Sequence, residues 1–427
     1  MDHSRRRVGL AVVTLVTLAA GAAVATAPAP STTAVVQSAG VTASPDDVGS
    51  TLAVDDTGAA NETPARLGLG SGPVVAETAS PTTRLGTAVA VGDDELRVRF
   101  ARYRARELLD SATADTERRA AVRQVLDETS RAADRLRDRE AAAVRAYRSD
   151  AIDRPELFRR LATVHLVAAE HRRTLTELQQ RAEGSLTFEL ETELSTLTRR
   201  LRMFQSPPRA RLTDGVTGNS VSDVRVSTTE TGLALETIVD GTYVREVVRL
   251  DRYDAGGEQL ETTRDAVDRL GVLYPYAFAA SRSHSISAVE RRLFLAEFPH
   301  PQGQVRAYLN RATGEIYREV QRLQLDQVPT RSVVNRTVEG VTVTVDRVDG
   351  QDPTRISLTD SATGDPVDAT VGVGNRTVGT TEDGRLWLVL GATPTAVSLD
   401  TDGRTVTITV GDTETRANTH HDTAAGP

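Results

Sequence analysis

Few side chains in this sequence could carry acid–base or nucleophilic chemistry. Of its seven histidines, His3 sits near the N-terminus and His420 and His421 in a polar tail, which leaves His165, His171, His284 and His300. His165 and His171 are six residues apart, about 240° around a helix, so they do not share a metal site. His284 and His300 lie near a predicted helix and a predicted hairpin, with no partner the spacing can identify. Cysteine is absent, which removes thiolate nucleophiles, thiolate zinc sites and disulfides together.

The carboxylates are more numerous and no more specific. Asp346, Asp349, Asp352, Asp360, Asp365 and Asp368 suggest calcium, which takes several oxygens, but no spacing matches a D-x-[DN]-x-[DN]-G loop, and aspartate in turns is ordinary turn chemistry. Gly68-Leu69-Gly70-Ser71-Gly72 misplaces its glycines for a nucleophile elbow. H-E-x-x-H, P-loop and dinucleotide fingerprints are all missing. The expectation is therefore no catalytic residue, no cofactor and no metal. Three N-x-T acceptors remain as candidate N-glycosylation sites: Asn61, Asn335 and Asn375.

The elements that would position any site begin with Ser4 to Ala25. Arg5, Arg6 and Arg7 precede an uncharged run from Val8 to Val24 that closes on Ala23-Val24-Ala25, the layout of an export signal. Ser4-Arg5-Arg6-Arg7-Val8 also resembles a twin-arginine signal. Cleavage after Ala25 is the expectation; the other reading is an uncleaved anchor of about 17 residues, near the lower limit for a membrane span. The chain is expected to work outside the cytoplasm, secreted or at the cell surface. All 51 basic residues are arginine against 59 acidic residues, a formal charge of −8. An acidic, lysine-free, cysteine-free chain rich in Ala, Val, Thr and Asp resembles the composition of salt-loving archaea. That balance gives no reason to expect nucleic acid.

Six segments follow: signal 1–25, a flexible Ala/Thr/Ser/Pro-rich linker 26–92, helices 93–205, an α+β domain 212–327, a β-rich domain 330–412 and a disordered tail 413–427. In the helical segment, Val122, Leu126, Thr129, Ala133, Leu136, Glu140, Ala143 and Tyr147 alternate steps of four and three. Leu157, Leu161, Val164, Ala168, His171, Leu175, Leu178 and Ala182 repeat the seam after Asp153 and Pro155. Leu190, Leu194, Leu197, Leu201 and Phe204 follow, and Leu96, Phe100 and Tyr103 begin a helix upstream. The expectation is a three- or four-helix bundle or a coiled-coil hairpin, ended by Ser206-Pro207-Pro208. Its 23 arginines against 20 carboxylates between 94 and 204 read as a solvated surface of ion pairs rather than a basic patch.

The middle segment predicts a hairpin at Asp240-Gly241, between 233–238 and 243–250. A helix over 262–270 follows, with a continuation after Pro275 through Ala280 as the longer reading, then strands over Ser287–Phe298, 304–309 and 315–325. Val305-Arg306-Ala307-Tyr308-Leu309-Asn310-Arg311-Ala312-Thr313-Gly314-Glu315-Ile316 resembles the closing hairpin of PepSY domains, with Asn310 where that family often has an acidic residue. The resemblance implies a binding or inhibitory module, hence regulation of a secreted peptidase.

After Thr330, seven short strands separated by Asp-Gly and Thr-Gly turns argue an antiparallel β-sandwich. Ser361-Ala362-Thr363-Gly364-Asp365-Pro366-Val367 and Thr380-Thr381-Glu382-Asp383-Gly384-Arg385-Leu386-Trp387-Leu388 resemble carboxypeptidase-regulatory-like and Ig-like domains, which implies spacing or adhesion. The whole resembles the uncharacterised multidomain exported proteins of halophilic archaea. The functional expectation is non-enzymatic binding of a protein partner at the cell surface. Peptidase regulation and a hydrolase using His284 or His300 are the alternatives. Self-association through the helices is also considered, and membrane contact only through an uncleaved N-terminal segment.

Overall fold

The computed structural model describes residues 63–81, 85–219, 223–257, 260–350, 352–391, 394–401 and 404–411. The segment read as an export signal, the expected linker as far as residue 62, Asn61 and the tail from residue 412 lie outside them.

The helical seams are where the spacing puts them. α1 (Leu85–Ser111), α2 (Asp115–Arg148), α3 (Arg154–Arg181), α4 (Phe188–Arg202) and α5 (Pro207–Thr217) form the N-terminal helical region. α3 packs against α1, α2, α4 and α5. Val122, Leu126, Ala133 and Leu136 of α2 are buried with Val164, Ala168, Leu175 and Leu178 of α3 and Leu190, Leu194, Leu197 and Leu201 of α4. Full burial of one such leucine contributes about 2 kcal/mol before the entropy of ordering is subtracted. The Asp153 carboxylate caps α3 by accepting from the Glu156 amide at 2.9 Å.

Three expectations need correction. Residues 63–92 hold β1 (Val75–Ala79) and the start of α1 rather than linker alone. Ser206-Pro207-Pro208 does not end the helices but opens α5: Ser206 is its N-cap and the prolines occupy the first turn, where a missing N–H costs nothing. Leu96, Phe100 and Tyr103 do lie on a helix, yet all three are exposed, because the packed seam of α1 runs through Val91, Val98, Ala105 and Leu109 instead.

The middle region is one eight-stranded antiparallel sheet, in the order β1-β2-β3-β4-β8-β7-β6-β5. Its remaining strands are β2 (Val224–Thr228), β3 (Gly232–Val239), β4 (Thr242–Arg249), β5 (Ser285–Glu290), β6 (Leu293–His300), β7 (Gly303–Asn310) and β8 (Ile316–Gln324). The strand expected over Ser287–Phe298 is two, β5 and β6, paired about the turn at Arg291-Arg292. α6 (Thr263–Leu273) and α7 (Pro275–Ala280) follow β4. The sheet is covered on both faces, so its central strands are buried almost continuously. Leu233, Leu235 and Val248 face the helical region, and Ala234, Val247, Phe298 and Ala307 face α6 and α7.

Ion pairs accompany each face. On the helical side, Glu140 of α2, Arg209 of α5, Glu246 of β4 and Arg318 of β8 form a quartet that is at most 1% exposed. On the opposite side, Glu319 accepts from the Leu67 amide at 3.0 Å and from the Tyr274 hydroxyl, binding the segment before β1 to the sheet.

The C-terminal residues form two four-stranded antiparallel sheets, β14-β11-β10-β9 and β13-β12-β15-β16. Their strands are β9 (Thr330–Val338), β10 (Val341–Val348), β11 (Pro353–Asp360), β12 (Thr370–Val373), β13 (Arg376–Thr380), β14 (Arg385–Val389), β15 (Thr395–Thr401) and β16 (Arg404–Val410). β9 is the strand that the sequence pattern missed. Val343, Ile356 and Leu358 of one sheet share an apolar cluster with Val371, Leu399 and Ile408 of the other.

Candidate binding groove

A groove of about 780 Å³ opens where three connections of the central sheet meet. Asp254, Ala255, Gly256, Gly257, Leu260 and Glu261 line one side, and Arg291, Arg292, Asn310, Arg311 and Ala312 the other. Its size suits a short peptide segment or a small molecule.

Asn310 builds this site. It is 1% exposed, and its Nδ2 donates to the Arg252 carbonyl at 2.6 Å and the Tyr253 carbonyl at 3.2 Å. Its Oδ1 accepts from the Ala312 amide at 2.8 Å. An ionised acid could not donate those two bonds, which is the local reason for an amide at this position. The Thr313-Gly314 turn completes the hairpin, with Gly314 at φ 65° and its amide donating to the Asn310 carbonyl at 2.9 Å. Gly257 brings the facing loop close: a Cβ there would stand 2.5 Å from the Ala312 carbonyl oxygen.

Three guanidinium groups border the groove. Arg292 Nη1 donates to Asp254 Oδ1 at 2.9 Å. Arg311 sits over the Phe294 ring at 4.7 Å and donates to the Glu261 carbonyl at 3.2 Å. Arg291, at the tip of the β5–β6 turn, is exposed and has no partner among the described residues. A free guanidinium beside two that are fixed suits recognition of a carboxylate or another oxyanion.

The histidines do not enter the groove. The His284 ring stacks on Phe278 at 3.9 Å, and its Nε2 lies 3.0 Å from the Phe278 carbonyl oxygen. His300 ends β6, is 7% exposed and has neither ring nitrogen hydrogen-bonded; burial pushes its pKa down to about 4. Burial and then Arg209 lower His165 to about 4, and burial and then Arg135 do the same to His171. The candidate calcium carboxylates are dispersed: Asp346 pairs with Arg355 at 2.8 Å, Asp352 with Arg66 at 2.7 Å, and Asp360 accepts from the amides of Ala362 and Thr363. Among the described residues no group of three or more potential metal ligands occurs. Asn335 on edge strand β9 and Asn375 in the β12–β13 turn are both exposed.

Sequence reasoning missed Arg291 and Arg292 because they sat inside one expected strand. The signal was there: Glu290-Arg291-Arg292 interrupts the apolar run on either side, as a turn does.

Comparison with known families divides the chain where the architecture does. A domain of unknown function, DUF7096, matches residues 2–221, which is more than half of the chain. The chain belongs to the DUF7096 family. A second family of unknown function, DUF7094, matches residues 224–329, the region of the central sheet that bears the groove. The archaeal fibronectin-III type-like domain matches 332–416, in agreement with an Ig-like C-terminal domain. No curated protein and no solved structure matches the chain.

Proposed function

We propose that this chain is a non-enzymatic, exported cell-envelope or extracellular protein that holds a protein partner through the groove between the 254–261 loop and the β7–β8 turn. The observation that carries the reading is the unpaired Arg291 beside the fixed guanidinium groups of Arg292 and Arg311. The ligand chemistry is an acidic peptide segment: its carboxylates meet the arginines and its backbone the loop at Gly256 and Gly257. In this reading the helices form a bundle beneath the sheet. The two C-terminal sheets pack as a β-sandwich that spaces the groove from its neighbours. Export rests on the Arg5–Ala25 pattern, and a saline surrounding on the lysine-free acidic composition.

Regulation of a secreted peptidase is a narrower form of the same reading. It is favoured by one observation: the turn at Asn310, Arg311 and Ala312, within the PepSY-like stretch, itself lines the groove.

The test is a titration of the full chain with fluorescein-labelled Gly-Glu-Glu-Glu-Gly and with its Gln counterpart, read by anisotropy. Tighter binding of the Glu peptide, weakened about tenfold by Arg291→Gln with Arg311→Gln, supports the reading. Equal binding of both peptides, or binding that ignores the two substitutions, overturns it.

A further inference from the structure

Helix α1 is apolar on two sides, and among the described residues only one of them is covered. Val91, Ala105 and Leu109 are buried. Val89, Leu96, Phe100 and Tyr103 remain 63%, 63%, 65% and 57% exposed. At 3.6 residues per turn these four fall within an arc of about 60°, opposite Val98 of the packed seam. Steps of seven, four and three between them are those of a heptad seam. Isolated exposed apolar residues are ordinary, whereas a row about four turns long marks an interaction surface.

Charge decides what covers it. In a heptad with Leu96 and Tyr103 at d and Phe100 at a, the flanking e positions are Arg97 and Arg104, and the flanking g positions are Arg99 and Arg106. Of these, Arg99 pairs with Glu95 and Arg106 with Glu177 at 2.7 Å, so the e positions carry the charge that a partner meets. A second copy would set arginine against arginine in either orientation, since parallel helices pair g with e and antiparallel helices pair like positions. Arg104 has no partner among the described residues, and Arg97, although paired with Asp93 at 2.6 Å, is 73% exposed. Asp93 and Glu107 continue the a positions at either end of the stripe, where an anionic bilayer would repel them and basic residues on a helix could meet them.

We infer that the outer face of α1 docks an amphipathic helix of a protein partner, with an apolar seam over Leu96, Phe100 and Tyr103 and acidic residues bordering that seam. Its ligand is a helix, distinct in shape and place from the extended segment assigned to the groove.

The experiment uses the full chain and two labelled 28-residue helical peptides with Leu at every a and d position, one with Glu and the other with Lys at e and g. Preference for the Glu peptide is expected, with at least a tenfold loss on Leu96→Ser with Phe100→Ser and a reversed preference on Arg97→Glu with Arg104→Glu. Because these side chains are exposed, each variant should keep the wild-type circular dichroism spectrum and Tm. Arg291→Gln with Arg311→Gln should leave helix binding unchanged, so this result and the groove test fail separately. Indifference to the sign of the flanking charge, or to the stripe substitutions, overturns the inference. So does stripe-dependent binding to vesicles of anionic phospholipid without helix binding, or stripe-dependent dimerisation in sedimentation.

Discussion

Arg66 Nη1 lies 2.7 Å from Asp352 Oδ2, an ion pair between the segment that precedes β1 and the turn that joins β10 to β11. Around it the first described residues, the central sheet and the C-terminal domain meet. Asp352 also hydrogen-bonds Glu236 of β3. The Glu236 carboxylate accepts from the Tyr243 hydroxyl at 2.8 Å and Arg245 Nε at 3.1 Å, with Arg225 Nε at 3.4 Å. Two carboxyl groups held this close, one of them fully buried, favour sharing a proton.

The first prediction concerns pH. Burial, then the Asp352 charge, pushes Glu236 up to about 7, whereas at Asp352 burial is outweighed by Arg66 and the Glu236 hydrogen bond, which bring it down to about 2. A carboxyl raised on folding keeps its proton when the unfolded chain has lost it, so its contribution to stability falls as pH rises from about 4.5 to 7. Asp352 acts in the other direction, its contribution being lost as pH falls through the range from about 4 to 2. Thermal unfolding should therefore show Tm declining by several degrees between pH 5 and pH 7.5. Glu236→Gln, which keeps a donor for Asp352 and never ionises, should flatten that slope; a slope unchanged in the variant would refute the shared proton.

The second prediction tests the buried quartet. Arg209 Nε lies 2.9 Å from Glu246 and Arg318 Nη1 2.7 Å from Glu246, and both arginines also pair with Glu140. Removing one member strands an opposite charge in the interior, which costs about 3–5 kcal/mol, whereas replacing charges together by apolar groups is far milder. Arg209→Met should lower stability by about that amount in denaturant titration. Joint substitution of all four by apolar residues of similar volume should recover most of it. Equal losses in the single and fourfold variants would show that the quartet is not acting as a unit.

How much of this was legible from the sequence depends on range. Seams such as Leu126-Thr129-Ala133-Leu136 are written in local spacing and are buried as that spacing implies. Glu140 sits on the same seam, but nothing nearby in sequence announces Arg318, 178 residues away. Pairings of that kind are set by which strand lies under which helix. The exposed side of α1 was hidden for a related reason: Leu96, Phe100 and Tyr103 have the spacing of a core face, and spacing alone does not say which of two apolar faces is covered. At the groove, the turn residues Asn310 to Gly314 were legible, while the loop they meet was brought there by the sheet order.

The third prediction concerns the segment that Arg66 anchors. Gly232 has room for no side chain: a Cβ would stand 2.2 Å from the Leu69 carbonyl oxygen, which already accepts from Thr229 Oγ1 at 2.9 Å. Gly232→Ala must therefore push the segment off β3. It would also loosen the bonds from the Leu67 amide to Glu319 and from Arg245 to the Leu67 carbonyl. A loss of about 1–3 kcal/mol is expected, with new proteolytic cleavage near Arg66. Resistance to protease equal to that of the unmodified chain would mean that the backbone at 69 yields without leaving the sheet.

The fourth prediction separates the shape of the groove from its charge. Asn310→Asp changes one amide to a carboxylate, so the two bonds to the Arg252 and Tyr253 carbonyls are lost and a negative oxygen faces them instead. The cost of leaving buried acceptors unpaired is about 1–3 kcal/mol, and the displaced β7–β8 turn would carry Arg311 away from Glu261. Acidic-peptide binding should fall at least tenfold at neutral pH, and the loss of Tm relative to the unmodified chain should shrink at pH 4, where the introduced carboxyl, once protonated, can donate again; Asn310→Ala, which has no donor at any pH, should keep its deficit in Tm. If both variants respond to pH alike, the amide does not hold the turn through these two bonds, and the groove owes its form to the Gly257 approach alone.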